Sequence, residues 1–278
     1  MNKKRFYHSF WSKPLLEERW GKAVKHQLQS TLLFTAIGIV YAKRLGVEIV
    51  LHTDDYGIDK FGFLPYDSVY LTLKGHDIHP TFWASGKMIA LAKESLGSCH
   101  LDMDAWIKKS EGSDFIFDSE KDLVSQGLED SVNIYEWQKD IILDCVDLSD
   151  YIDIDSAKKN CKAYNCGVTR LNNQVLKEKW IKAYWNVVNN LDIDDFVRKN
   201  FTPDLIAEQW LLYQLCEQNN FSVDSICETP QDKLNPRELG YVHLITGSKY
   251  RLDSELRKIL SKLDPDLYQQ VESKINEI

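Results

Sequence analysis

Asp102 and Asp104 stand one residue apart, and far downstream His243 precedes the turn-like run Thr246-Gly247-Ser248-Lys249. Carboxylates at i and i+2 on a strand share one face, so both can converge on one cation. Oxygen donors of this kind suit Mg2+ or Mn2+. His243 can add a neutral nitrogen ligand. Gly247 lets backbone approach a ligand closely, and Lys249 brings a compact positive charge that suits a phosphate oxygen. Together these residue types describe a metal–diphosphate site, the chemistry of group transfer from a nucleotide.

Asp-x-Asp also occurs at Asp153/Asp155, Asp192/Asp194 and Asp264/Asp266. Those pairs fall in acidic loops or at helix starts, where capping and solvation account for them. Asp102/Asp104 alone follows a helical stretch and leads into the apolar Ala105-Trp106-Ile107. Taken alone, the pair reads equally as a metal site or a structural turn. Asn165-Cys166-Gly167 reads as a strand-edge turn, or as an amide for sugar hydroxyls with a glycine leaving room for the ring. Glu208 and Gln209 suit a helix N-terminus, or a polar pair aimed at a reacting sugar. Lys87 is a solvated helix lysine or a phosphate contact.

These groups need a frame to bring them together. Arg5 to Trp11 reads as a first strand. Leu16 to Leu45 has helical period and length, with Gly46 placed to end it. Val47 to His52 is a β-branched apolar run of the kind buried in parallel sheets, and it leads into Asp54 and Asp55. A loop over Gly57 to Pro65 and a strand over Ser68 to Leu73 follow. Thr81 to Leu96 is helical after His79-Pro80, and Ser98 to Ile107 reads as one strand containing Asp102 and Asp104. Ser110 to Asp155 is acidic with irregular hydrophobics, which suits a solvated face first and an acceptor-side loop second. A strand over Tyr164 to Leu171, helices over Asn173 to Asn190 and Thr202 to about Asn219, and a short strand over Tyr241 to Ile245 complete the body. Leu252 to Ile278 is charged and helical. Strand–helix alternation predicts an α/β fold with a mostly parallel central sheet flanked by helices and a helical C-terminal tail. Ligands of such sheets lie beyond the carboxyl ends of the strands, where Asp54, Asp55, Asp102 and Asp104 all fall.

With 278 residues and no repeat or linker, the chain reads as one domain. A net charge of −8 argues against non-specific binding to nucleic acid or anionic lipid. The best apolar run, Leu32 to Tyr41, is too short for a transmembrane span and is interrupted by Thr35 and Gly38. The basic N-terminus has no apolar stretch typical of a signal peptide, so the expected location is the cytoplasm. Cys99, Cys145, Cys161, Cys166, Cys216 and Cys227 form no C-x-x-C pair, and their scatter fits core residues in a reducing compartment.

In this order the motifs resemble those of GT-A glycosyltransferases, above all the family 8-like retaining enzymes and their bacterial relatives. That pattern is Asp-x-Asp, Asn-x-Gly, an acidic residue followed by Gln, then His-x-x-Gly-x-x-Lys. This chain has Asp102-Met103-Asp104, Asn165-Cys166-Gly167, Glu208-Gln209 and His243-Leu244-Ile245-Thr246-Gly247-Ser248-Lys249. It departs by carrying Glu208 for the usual Asp, by placing Gly247 one residue late, and by an acidic stretch between the first two motifs. The resemblance implies a Rossmann-type GT-A-like domain, with a nucleotide-binding half over about 1–110 and a sugar and acceptor half over about 160–250. It implies a nucleotide-sugar donor such as a UDP-sugar, and a glycan or lipid-linked acceptor, as in bacterial surface polysaccharide synthesis. It implies Mn2+ or Mg2+ held by Asp102, Asp104 and His243, with Lys249 and Lys87 sharing the diphosphate charge. Asp54 or Asp55 would contact base or ribose, and Asn165, Glu208 and Gln209 would line the sugar. In a retaining reaction Gln209 or Asn165 supports an oxocarbenium-like transition state; in an inverting one Glu208 is the general base. Two other readings stand beside this one: a metal-dependent nucleotidyltransferase or phosphohydrolase, and a non-catalytic scaffold with a degenerate transferase fold.

Overall fold

The computed structural model describes residues 3–16, 24–130, 132–193, 201–227, 238–244 and 252–278. The first strand, β1 (Arg5–Phe10), is followed by the short α1 (Lys13–Leu16) and the long α2 (Val24–Arg44). Gly46, at φ +67°, ends α2 in the left-handed region that favours glycine. Its N–H donates to Lys43 O and that of Val47 to Ala42 O, which is the Schellman pattern. The chain then enters β2 (Glu48–Thr53), parallel to β1 from Arg5 opposite Glu48 to Phe10 opposite Thr53.

The stretch expected to be a loop is instead α3 (Asp55–Phe61). Asp54 caps it, accepting from the Gly57 N–H at 2.9 Å and from the Ser12 N–H and hydroxyl at 2.8 and 2.7 Å. Two glycines and a capping aspartate masked a helix of about two turns as a turn-rich loop. Next come β3 (Ser68–Tyr70), α4 (Ser85–Lys93) and β4 (Cys99–Leu101). The expected strand over Ser98 to Ile107 is split: Asp102 to Asp104 form a turn, and β5 (Ala105–Ile107) belongs to a different sheet.

The acidic middle is also structural. It forms α5 (Ser110–Asp118), β6 (Leu123–Asp130), α6 (Val132–Cys145) and α7 (Ile154–Lys158). β7 (Lys162–Leu171) and α8 (Gln174–Asn190) follow. The expected helix from Thr202 is three pieces: α9 (Pro203–Leu205), a π-helical turn Ile206–Trp210, and α10 (Leu211–Gln218). Then come β8 (Val223–Cys227), β9 (Tyr241–His243), α11 (Asp253–Leu263) and α12 (Pro265–Glu277).

The main sheet has the order β3-β2-β1-β4-β7-β6-β8. β7 runs antiparallel to β4 and β6, and the other pairings are parallel. This mostly parallel, helix-flanked sheet is the Rossmann-like α/β architecture the strand–helix alternation predicts. Side chains alternate between its two faces. Phe6, Leu51 and Leu101 pack with α2 and the C-terminal helices, through Leu32, Ile37, Leu260 and Val271. Tyr7 and Val50 pack on the other face with Met88, Trp180, Tyr184 and Leu212. The helical tail thus closes one layer: Arg44 Nη2 donates to Leu263 O at 2.7 Å and the Ser30 hydroxyl to Asp253 Oδ1 at 2.8 Å. Among the described residues no helix is long and apolar enough to cross a membrane.

Polar side chains lie inside these layers. His8 is fully buried on β1, with Nδ1 2.8 Å from the Tyr66 hydroxyl. Burial pushes its imidazole down to about 3, with the Asp104 charge pulling the other way. The unfolded chain takes up this proton near pH 6.5 and the folded chain only near pH 3. Stability is therefore complete above that range and is lost as pH falls through it. Denaturant melts at pH 7 and pH 5 should show a loss of which about 2 kcal/mol belongs to His8. In His8→Gln the same pH change should cost that much less; an unchanged pH dependence would show that His8 is protonated in the fold.

Candidate functional site

β4 ends at Leu101, but its ladder continues one step further, because the Asp102 N–H donates to Gly167 O of β7 at 2.9 Å. The Ala105 N–H then donates back to Asp102 O at 2.9 Å, which closes the turn. Leu244 N donates to Asp104 O at 3.2 Å, and the Thr35 hydroxyl to Met103 O at 3.2 Å. β5 leaves this turn to pair antiparallel with β9, which sets Ala105 opposite His243. Asp102 and Asp104 therefore converge through a turn and not through the pleat of one strand, as the i, i+2 argument assumed.

His243 Nε2 lies 3.2 Å from Asp104 Oδ1 and 3.8 Å from Asp102 Oδ2. One ligand atom from each of the three residues falls within 4.8 Å of the others, a spacing that fits a shared cation. Two carboxylates and an imidazole nitrogen fit a divalent ion, and the nitrogen favours Mn2+ over Mg2+.

Lys87 of α4 reaches the same place. Its Nζ lies 3.2 Å from Asp102 Oδ1, donates to Cys166 O at 3.0 Å and pairs with Glu208 Oε1. Burial alone would lower its pKa, but the Asp102 and Glu208 charges raise it further, so the ammonium stays charged. It is a buried ion-pair centre, not a solvated helix lysine. Glu208 and Gln209 sit on the π-helical turn, a local irregularity common at functional sites. Glu208 is buried, its backbone O accepts from Trp180 Nε1 at 3.1 Å, and Gln209 Oε1 is 2.8 Å from the Tyr135 hydroxyl.

Lys87, Asp102, Asp104, Glu208 and Gln209 line a cleft of about 340 Å³. Its other wall is Ser9, Phe10 and Trp11 at the carboxyl end of β1, with Pro14, Leu15, Leu28 and Trp83. The position beyond the strand ends is the one parallel sheets offer to ligands.

Other expected site residues are placed differently. Asp54 spends both carboxylate oxygens on Ser12 and Gly57, and Asp55 pairs with Lys74 at 3.0 Å. Neither lines the cleft. Asn165 is buried behind the site: Oδ1 accepts from the Gly167 N–H at 3.0 Å and Nδ2 donates to Glu129 Oε1 at 2.8 Å. Gly167 makes room for protein, not for a sugar ring. A Cβ there would come within 2.2 Å of Gln126 Oε1 and 2.7 Å of His243 Nδ1. Gly247 and Lys249 lie outside the described residues.

Three residues at the site have no counterpart in the sequence reading. Gln126 Oε1 lies 2.7 Å from His243 Nδ1 and accepts from the Tyr241 hydroxyl at 2.8 Å. The available signal was Gly127, an isolated glycine between Leu123-Val124 and Leu128 of the kind that can mark a bulge. His100 is buried with Nδ1 3.6 Å from Asp102 Oδ1; burial and the Lys87 charge push its imidazole well below its usual range, so it is neutral. Tyr135 braces Gln209 from α6, an element the acidic composition hid.

No curated protein sequence matches this chain. Among solved structures, the inositol-1-phosphate CTP transferase from T. maritima is similar over 92% of this chain and 96% of that one, with 10% identity and a TM-score of 0.47. A family model matches residues 4–274, and the chain belongs to that family, a family of unknown function designated DUF6734.

Proposed function

We propose that this chain is a metal-dependent glycosyltransferase that moves a sugar from a nucleotide-sugar donor, a UDP-sugar first of all, to a glycan or lipid-linked acceptor. The observation that carries this reading is the convergence of His243 on Asp102 and Asp104, two carboxylates that line a cleft beyond the parallel strand ends. The order of its motifs, which resembles that of the family 8-like enzymes, supports the same reading. Asp102, Asp104 and His243 would hold a divalent cation, which when bound would supply Lewis-acid stabilisation to a departing nucleoside diphosphate. Lys87, charged and fixed between Asp102 and Glu208, presents a second positive group to the phosphate oxygens. Gln209, on the cleft wall and braced by Tyr135, presents its amide to the sugar. The reaction belongs in the cytoplasm, where nucleotide-sugars for surface polysaccharides are consumed.

The Glu208 carboxylate is engaged by the Lys87 ammonium through Oε1, so its side chain is committed to holding that lysine. That supports a positioning role for Glu208 and a retaining outcome, with Gln209 beside the developing oxocarbenium ion.

Calorimetry with UDP, GDP and CMP, in Mn2+ and again in EDTA, tests the donor site. UDP should bind only with metal, and Asp104→Asn should abolish that binding while leaving the melting curve unchanged. Failure of every nucleotide under both conditions would remove the reading. Release of pyrophosphate from CTP or UTP, with no turnover of nucleotide-sugars, would replace it with nucleotidyl transfer. Within the transferase reading, Glu208→Gln should keep turnover within about tenfold of wild type; a general base would lose about 10²-fold or more. Asp102→Asn should cost about 10²–10³-fold in turnover, as loss of an electrostatic stabiliser does.

A further inference from the structure

Gln126 meets His243 at Nδ1, the ring nitrogen turned away from Asp102 and Asp104. Its placement begins in the sheet. The β6–β7 pairing joins Ser125 to Thr169 and Gly127 to Asn165, with an irregularity between them at Gln126. At that break the Gln126 side chain crosses over Gly167, where any Cβ would come within 2.2 Å of its Oε1. It is fully buried, and its Oε1 is shared by the Tyr241 hydroxyl and His243 Nδ1. Its Nε2 is buried without a hydrogen-bond partner. A buried amide with an idle donor and a doubly used acceptor is placed for its oxygen.

An imidazole binds a cation through a nitrogen that carries no proton, and the partner of the other nitrogen decides which one that is. An acceptor at Nδ1 keeps the proton there and leaves the Nε2 lone pair free, pointing at Asp104 and Asp102. We propose that Gln126 is the positioning residue that holds His243 as the Nδ1–H tautomer, so that Nε2 is ready to bind a divalent cation with Asp102 and Asp104. Tyr241 is part of the device: its hydroxyl donates to the same oxygen, so Oε1 is held toward His243. Gly167 supplies the space in which the two side chains meet. This inference rests on the metal-dependent reading above, and it adds a residue that touches neither cation nor substrate.

The test has two readouts. The first is the tautomer of His243 in full-length, nitrogen-15-labelled wild-type protein with Mg2+, read from long-range proton–nitrogen correlations. The expected result is a proton on Nδ1 and none on Nε2; a neutral ring protonated on Nε2 would overturn the proposal without any variant. The second is Mn2+ affinity by calorimetry. Gln126→Leu removes the acceptor and should weaken Mn2+ binding by about 10–100-fold. Gln126→Glu keeps an oxygen in place and should restore binding to within a few-fold of wild type. Gly167→Ala, whose Cβ would press on both Gln126 Oε1 and the His243 ring, should weaken binding at least as much as Gln126→Leu does. Equal Mn2+ affinity in wild type and a folded Gln126→Leu would overturn this inference alone. No Mn2+ binding by wild type would overturn the metal reading and this inference with it.

Discussion

The cleft depends on one break in the chain, between Leu101 and Ala105. A buried backbone N–H or C=O must find a partner, and here the available partners leave one path. Asp102 N–H finishes the β4–β7 ladder on Gly167, while Ala105 N–H turns back onto Asp102 O. Beyond this point the chain belongs to the second sheet, where β5 pairs with β9. The two aspartates are therefore held by their backbones, against the repulsion their charges exert on each other. His243 arrives through the same pairing, because it lies opposite the residue that follows Asp104.

Charge explains what gathers around that turn. Asp102, Asp104 and Glu208 bring three carboxylates into a partly or fully buried region, and burial raises the cost of leaving them unpaired. Lys87 answers two of them from one side. His243 Nε2 faces the two aspartates, 3.2 Å from Asp104 Oδ1 and 3.8 Å from Asp102 Oδ2. The neighbouring imidazoles of His8 and His100 are kept neutral by burial and contribute no positive charge. The arrangement suits a cation beside Asp104 and His243 and an ammonium between Asp102 and Glu208.

Much of the scaffold was legible in the sequence. β1, β2 and α8 follow their hydrophobic period, and Gly46 ends α2 where a left-handed residue was required. Elements whose patterns compete with composition were not. β6 lies inside an acidic region and carries Ser125, Gln126 and Gly127, so its period-2 signal is broken where the sheet itself is irregular. α3 hides behind Gly57 and Gly62, and the π-helical turn has no local signature separate from the helices on either side. The apolar run through Asp102 and Asp104 read as one strand because a turn that joins two sheets keeps apolar residues on both sides.

By itself the sequence determined the alternation of strands and helices, and it singled out the residues of the site by type: two aspartates, a histidine, a Glu–Gln pair and a lysine. Those are properties of short stretches, set by side-chain chemistry and local period. Which residues meet was decided only by the tertiary structure. His243 reaches Asp104 through a strand pairing across about half the chain, Lys87 reaches Glu208 from another helix, and Asn165 and Gly167 turn their backs to the cleft to brace Asp102 and admit Gln126. The physical reason is that contacts between distant segments follow from sheet register and from the pairing of buried polar groups, and neither is encoded in any one stretch of sequence.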